Sequence, residues 1–345
     1  MKTILFIGAT GAQGGAAVKY LAATGEYRIL ALTRNKTSSH AQDLAATANV
    51  EVLVSEAASG YGTEAFLSAA SRSDYVFVNT DGFTLGEQAE TFWGIRLFEL
   101  AVRAGVKHFI YSGLDYASKA AGYDPKFYVG HYEGKARVEE WIHAQQDSSM
   151  AWTIIRSGPY MELLSALMAP AQGTDGTALF ALPLGDGAIP FIHLGDFGKY
   201  VHWSLSHPDQ SNHRDFGIAT AHVSGNEIEA AFSAYTGKPA KYVDLDINHW
   251  NVEAWKHLPK GKDTKIGYQN VKDDNALLMT YGENFTNWWN LYKASKDNKG
   301  LIQRDYDFLD QIVPDRVKSL AEWMEKVKYT GEKGSLLRLH DPFKN

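Results

Sequence analysis

The chain has 345 residues, 45% hydrophobic and 21% charged, which fits one large or two moderate domains of about 150 residues each and argues against long disorder. It has no cysteine, which excludes disulfide scaffolds, Cys-ligated zinc and cysteine nucleophiles; this fits a reducing compartment, and a cytoplasmic location is expected. The net charge of −6 comes without a basic tail or stripe, so no nucleic-acid partner is expected.

The opening run Lys2-Thr3-Ile4-Leu5-Phe6-Ile7 is short and leads into glycines. It reads as a strand rather than a signal peptide. No apolar run approaches the roughly 18 residues of a spanning helix, so no membrane partner is expected. Apolar runs of strand length recur at 28–32, 50–54, 75–78, 108–111 and 152–155, most of them rich in Ile, Val, Phe or Leu. The stretches between them have helical character. Phe92, Ile95, Phe98 and Val102 lie close to one helical face, and Gly105 suits the C-terminal cap. Ala136, Val138, Trp141 and Ile142 mark part of a second such helix. Strand–helix repetition predicts an α/β fold, a doubly wound parallel sheet with right-handed crossovers, through about Arg156.

The second half reads differently. Residues 157–190 are rich in Gly, Pro and Ala with weak periodicity. Ile189-Pro190-Phe191-Ile192-His193 predicts a strand, and Asp196 could cap a helix starting at Phe197. A short strand is expected at 216–219 and a helix at 226–237, ending at Gly237. Trp250, Trp255, Trp288 and Trp289 read as core, or as a lid packed over a cavity. Residues 296–299 and 124–125 read as surface turns. The expected organisation is a first domain at 1–156 and a smaller, mostly helical substrate region at 157–345, with 189–219 returning to the first core.

The most informative segment is Gly8-Ala9-Thr10-Gly11-Ala12-Gln13-Gly14, between the first strand and the first helix. Glycines at this spacing permit a tight turn, close approach of backbone to a pyrophosphate, and close helix–strand packing. The helix N-terminus adds free N–H groups and a favourable dipole. The strand–loop–helix context makes this a Rossmann dinucleotide site. NAD sites usually carry an acid after the second strand to hold the ribose 2′-OH. Here that place reads Thr33-Arg34-Asn35-Lys36. Arg34 and Lys36 suit a 2′-phosphate instead, so NADP (NADPH) is the expected cofactor.

The glycine loop with its Gln13, followed by Leu32-Thr33-Arg34, resembles the NmrA-like group of atypical short-chain dehydrogenases/reductases. His131-Tyr132-Glu133-Gly134-Lys135 resembles that family's helix carrying a lone lysine. Ile155-Arg156-Ser157-Gly158-Pro159-Tyr160-Met161-Glu162 resembles its R-P-G-aromatic-aromatic-M-E segment, with the Pro-Gly order altered. His193-Leu194-Gly195-Asp196-Phe197-Gly198 resembles its V-D-D-x-G element. The resemblance implies an NADP-binding domain with a smaller C-terminal region. By position it places the cofactor against Gly8, Thr10, Gly11, Gln13, Gly14, Arg34, Lys36 and Pro159. Glu56 would lie near the adenine, Asn79 and Thr80 under the cofactor, and Lys135 at the nicotinamide ribose.

Typical short-chain dehydrogenases pair Tyr and Lys four residues apart on one helical face, where Lys lowers the tyrosine pKa. Here His131 stands four residues before Lys135 and Tyr132 three before it. Imidazole could supply a proton near neutral pH; the competing reading is a helix-start histidine without a role. Tyr132 is the other candidate acid. Ser112 closes the fifth strand, where ligands bind in such sheets, and could orient a carbonyl. Phe83, Trp93, Tyr160 and Met161 are candidate substrate-pocket walls. The scattered histidines offer no metal site.

Two functions compete. One is an NADPH-dependent reductase of a carbonyl, imine or activated alkene on a small organic substrate, for which the tryptophan-rich tail would suit an aromatic molecule. The other is a non-catalytic NAD(P) sensor acting through a protein partner. An enzyme should hold a cavity over the nicotinamide lined by the second half. A sensor should have that space filled or opened as a groove.

Overall fold

The computed structural model describes residues 1–55, 60–146, 148–271 and 278–334. The first part runs β1 (Lys2–Ile7), α1 (Ala12–Thr24), β2 (Tyr27–Thr33), α2 (Ser39–Ala45), β3 (Val50–Val54), α3 (Thr63–Ala70), β4 (Tyr75–Val78), α4 (Gly82–Leu85) and α5 (Glu87–Arg103). It continues with β5 (His108–Gly113), α6 (Ala117–Ala120), α7 (Gly130–His143) and β6 (Ala151–Arg156). Next come β7 (Ala171–Gln172), β8 (Ala178–Leu182), β9 (Ala188–Phe191), α8 (Leu194–Ser206), α9 (Pro208–Ser211), β10 (Arg214–Gly217), β11 (Ala221–Ser224) and α10 (Gly225–Thr236). The chain closes with β12 (Ala240–Asp244), α11 (Ile247–Trp255), α12 (Tyr281–Lys293), α13 (Tyr306–Ile312) and α14 (Leu320–Val327).

Seven strands form one parallel sheet in the order β10-β6-β5-β4-β1-β2-β3. Ile4 and Phe6 enter the core on one face, with Val18, Leu21, Phe197 and Val201. Leu5 and Ile7 enter the other, with Phe66, Leu97, Ala101 and Val138. A sheet covered on both faces needs apolar residues at consecutive positions, which is why its central strands β1, β4 and β5 read as largely apolar runs, unlike the edge strand β10 with Arg214 and Asp215.

The face expected for the α5 helix is corrected. Phe98 is buried, but Phe92 is 57% exposed and Val102 is exposed too. The buried side instead carries Glu90, Gly94, Leu97 and Ala101. α5 packs against α7 as well as the sheet, and a Cβ on Gly94 would come within 2.5 Å of Val138. A stripe that includes a glutamate and a glycine escapes a count of hydrophobic residues. Gly105 adopts φ +75° just beyond the helix end, as a C-terminal glycine should.

Residues 194–217 return to the sheet. α8 packs on α1, and β10 pairs in parallel with β6. α8 starts at Leu194 with His193 as its N-cap, so Asp196 is not the cap. It lies in the first turn, accepts the Val317 N–H at 2.7 Å and pairs with Lys199 at 3.0 Å. The second half also holds two small sheets, β11-β9 and β12-β8-β7, where helices dominated the expectation. Its core is aromatic: Trp250, Trp255, Trp288 and Trp289 are all buried there with Phe285 and Tyr292.

One buried ion pair ties this half to the sheet. Arg304 donates to both Asp115 carboxylate oxygens, at 2.9 and 2.7 Å, and to the Ile218 carbonyl at 3.0 Å. These partners lie just beyond β5 and β10. Among the described residues no helix is long and apolar enough to cross a membrane. None of them form a group of three or more His, Cys, Asp or Glu that could hold a metal.

Candidate active site

The glycine loop opens at the carboxyl end of β1. Gly8 adopts φ +84°, and a Cβ there would sit 2.5 Å from the Asn79 carbonyl oxygen. A Cβ on Gly14 would sit 2.2 Å from the Gly8 carbonyl oxygen. Both contacts are with backbone, so only glycine lets α1 start this close to β1 and β4. α1 has Gly11 as its N-cap, with no side-chain cap and no acid in its first turn. Its first N–H groups are therefore not satisfied by a side chain and favour an anion. A cavity of about 380 Å³ runs over this end and is lined by Gly8, Thr10, Gly11, Ala12 and Gln13. Gly14 lies behind the lining and serves the packing.

One end of the cavity is bounded by Leu32, Thr33, Arg34, His40, Ser55 and Tyr61. Arg34 brings an exposed guanidinium to this end. Lys36 is exposed and outside the lining. Glu56 lies outside the described residues. Tyr61 was not anticipated; its hydroxyl accepts the Asp81 N–H at 3.0 Å. The signal was available in Gly60-Tyr61-Gly62, a glycine-flanked aromatic after the third strand. The cradle of glycines, the uncapped helix end and the guanidinium together fit a phosphorylated dinucleotide.

Lys135 stands midway along the cavity, nearly buried. Its Nζ donates to Asn79 Oδ1 at 3.1 Å, the Thr80 carbonyl at 2.8 Å and Thr80 Oγ1 at 2.9 Å. It also lies 3.2 Å from Glu90 Oε1, which accepts the Thr80 hydroxyl at 2.8 Å. Glu90 is fully buried, and burial holds its carboxyl above the usual range against the pull of Lys135. Sequence reasoning missed Glu90. Its signal is a glutamate one turn before Gly94 on the buried side of α5.

Gln13 joins three of the anticipated residues. Its Nε2 donates to Ser112 Oγ at 2.8 Å, while its Oε1 accepts from Tyr160 OH at 3.0 Å and Asn79 Nδ2 at 3.3 Å. The Ser112 hydroxyl hydrogen has no acceptor among the described residues, and Ser112 lines the cavity. Ser157, Gly158, Pro159 and Tyr160 form a continuous wall, held by the bond from the Ile192 N–H to the Pro159 carbonyl.

His131 and Lys135 both line the cavity from α7. Burial pushes the His131 imidazole down to about 4, so it is neutral at pH 7 and lacks the imidazolium proton that an acid would give. Tyr132 lines the cavity too, but its hydroxyl bonds Tyr292 OH and receives the Trp288 indole N–H at 3.3 Å. Burial pushes it up to about 12. Phe83 and Tyr160 face the cavity. Trp93 and Met161 do not: Trp93 packs edge-on to Tyr61, and Met161 is buried in the aromatic core.

Beyond Lys135 the wall is built by the second half: Leu163, Leu167, Trp255, Leu258, Tyr281, Phe285 and Trp288. Phe83 stacks on Phe285, with centroids 6.0 Å apart and planes at 11°. This end offers flat, apolar faces.

Loop, lysine helix and wall segment follow one pattern, and the comparison with known families agrees. The NmrA-like family profile matches residues 1–274. The chain belongs to the NmrA-like family. An NmrA-like family domain-containing oxidoreductase of Aspergillus japonicus is 30% identical over 261 residues, covering 71% of this chain and 76% of its own. The structure of NmrA, a negative transcriptional regulator, superposes with a TM-score of 0.71 at 19% identity, over 96% of this chain and 99% of that one. An NADPH-dependent quinone oxidoreductase of Escherichia coli, solved with NADPH, gives 0.66 at 20% identity, over 95% and 100%. At these identities the two structures attest the fold alone.

Proposed function

We propose that this NmrA-like chain is an NAD(P)-dependent oxidoreductase, and specifically an NADPH-dependent reductase of a carbonyl, imine or activated alkene on a small aromatic molecule. The observation that carries this reading is one continuous cavity. It joins a phosphate cradle and Arg34 at one end to an aromatic chamber at the other, with Lys135 between them. A sensor without chemistry would have that chamber filled by side chains or opened as a groove. The Aspergillus japonicus relative, named an oxidoreductase, supports the same class.

The bound dinucleotide would supply the hydride. The protein's own work is binding and orientation. The α1 N-terminus holds the diphosphate, and Arg34 grips the 2′-phosphate in a charge-assisted fork. Lys135 is fixed by Asn79, Thr80 and Glu90 and presents its charge at the nicotinamide ribose. Ser112 orients the substrate oxygen or nitrogen with a hydrogen bond donated by its free hydroxyl, since Gln13 already donates to its Oγ. The aromatic wall takes the substrate's faces and excludes water.

The test is NADPH oxidation, followed by loss of its near-ultraviolet absorbance, against ketones, aldehydes, imines and enones, with Lys135→Ala as control. Turnover that Lys135→Ala abolishes is the expected result. Tight NADPH binding without turnover across the panel would favour the sensor.

A further inference from the structure

His131 occupies the aromatic end of the cavity, and its hydrogen bonds fix which ring nitrogen carries the proton. Asn284, wholly buried on α12, points its side-chain oxygen at His131. That oxygen lies 3.3 Å from the His131 backbone N–H and 3.0 Å from Nδ1. A backbone N–H is always a donor, so it is the amide oxygen, not the NH2, that faces His131. A carbonyl oxygen offers only lone pairs, so Nδ1 must carry hydrogen. Nε2 is then the lone-pair nitrogen of the neutral ring. It has no hydrogen-bond partner among the described residues, yet it is not sealed in, and the residue lines the cavity.

Two phenyl rings pack against the imidazole: Phe83 at 4.6 Å and 32°, and Phe285 at 5.6 Å and 23°. Two phenyl neighbours and Lys135, one turn along α7, disfavour a second proton on the ring. Val129, the N-cap of α7, provides no side-chain cap. The Asn284 oxygen supplies one from another element, which ties the tautomer to the docking of α12.

We propose that His131 is a fixed hydrogen-bond acceptor that selects substrates carrying an O–H or N–H on an aromatic ring, and is not the proton donor of the reaction. This rests on reading the aromatic chamber as the substrate site. A phenol or an aryl amine meets the Nε2 lone pair. The O-methylated form of the same molecule meets it with nothing to donate and leaves it desolvated.

Two measurements test this. Nitrogen-15 NMR of the imidazoles, with His131 assigned by its loss in His131→Gln, reports the tautomer in the cofactor-free chain. The expected result is hydrogen on Nδ1 and a lone pair on Nε2 from pH 6 to 8. Quenching of tryptophan emission then reports binding of 4-phenylazophenol and of its methyl ether to the protein saturated with oxidised NADP. The phenol should bind about tenfold more tightly, and His131→Phe should erase that preference while the ether keeps its affinity within about twofold. Hydrogen on Nε2, equal affinity for phenol and ether, a preference that survives His131→Phe, or no binding of either compound would each overturn the proposal. Failure of the reductase reading has a different signature: the tautomer and phenol preference persist while no substrate consumes NADPH.

Discussion

Asp115→Ala removes the one carboxylate that pairs with Arg304 among the described residues; the Arg304 side chain is 1% exposed. The guanidinium loses two charge-assisted bonds and its counter-charge. It keeps the Ile218, Gln303 and Ser157 carbonyls, the last at 3.3 Å. Removing one partner of a buried pair typically costs about 3–5 kcal/mol, and the retained carbonyls place this case near about 3 kcal/mol. That is more than a hundredfold in the folding equilibrium, at about 1.4 kcal/mol per factor of ten. Urea unfolding followed by tryptophan emission is the assay, since Trp250, Trp255, Trp288 and Trp289 are all buried in the half that Arg304 secures. The midpoint should fall with little change in slope. Asp115→Leu combined with Arg304→Met should recover most of the loss, because a well-packed apolar pair costs no desolvation. The reasoning fails if Asp115→Ala costs under about 1 kcal/mol, as an exposed pair would, or if the double variant is no better than the single.

Three further outcomes are expected. Arg34→Ala should weaken NADPH about 10- to 100-fold and leave NADH nearly unchanged; equal loss for both in a fluorescence titration would remove the 2′-phosphate role. Burial holds His108, His131 and His222 down at about 4 from 6.5. Each is neutral in the fold but takes a proton on unfolding, so its stabilisation is complete above about pH 6.5 and is lost as pH falls through about 4, roughly 3 kcal/mol apiece at most. Urea midpoints from pH 7 down to 4 should show that acid limb, and His108→Gln should shrink it. Lys135→Met leaves the Glu90 carboxyl buried without its cation and held above its ordinary 4.5. The folded state then keeps a proton that the unfolded state releases, so this variant should lose stability as pH rises from about 4.5 through the raised value. Adding Glu90→Gln should flatten the profile; a flat profile in Lys135→Met alone would count against the pairing.

Local signals were legible where one element made them. β3 and β4 stand at the boundaries that their apolar runs suggested: central β4 is covered on both faces and apolar throughout, while edge strand β3 keeps Glu51 among its valines and leucine. Gly8 and Gly14 were legible because no other residue fits against backbone at 2.5 and 2.2 Å. Legibility failed where burial depended on a neighbour. Phe92 looks like core and is exposed, while Glu90 and Gly94 are buried because α7 packs over them. Trp93 and Met161 have the right side chains for a pocket wall, but their directions belong to other packing.

The sequence by itself determined the parallel sheet, the glycine cradle on the first helix, Arg34 where an acid would serve NAD, and a lysine on the helix before β6. Each follows from local spacing, and spacing survives in one dimension. The tertiary structure alone decided the rest. Glu90 meets Lys135 across 45 positions, Asn284 sets the tautomer of a histidine 153 residues away, and the chamber is closed by aromatics from the far end of the chain. A side chain's proton, partner and exposure are fixed by what packs against it, and no periodicity in the chain encodes which distant element that will be.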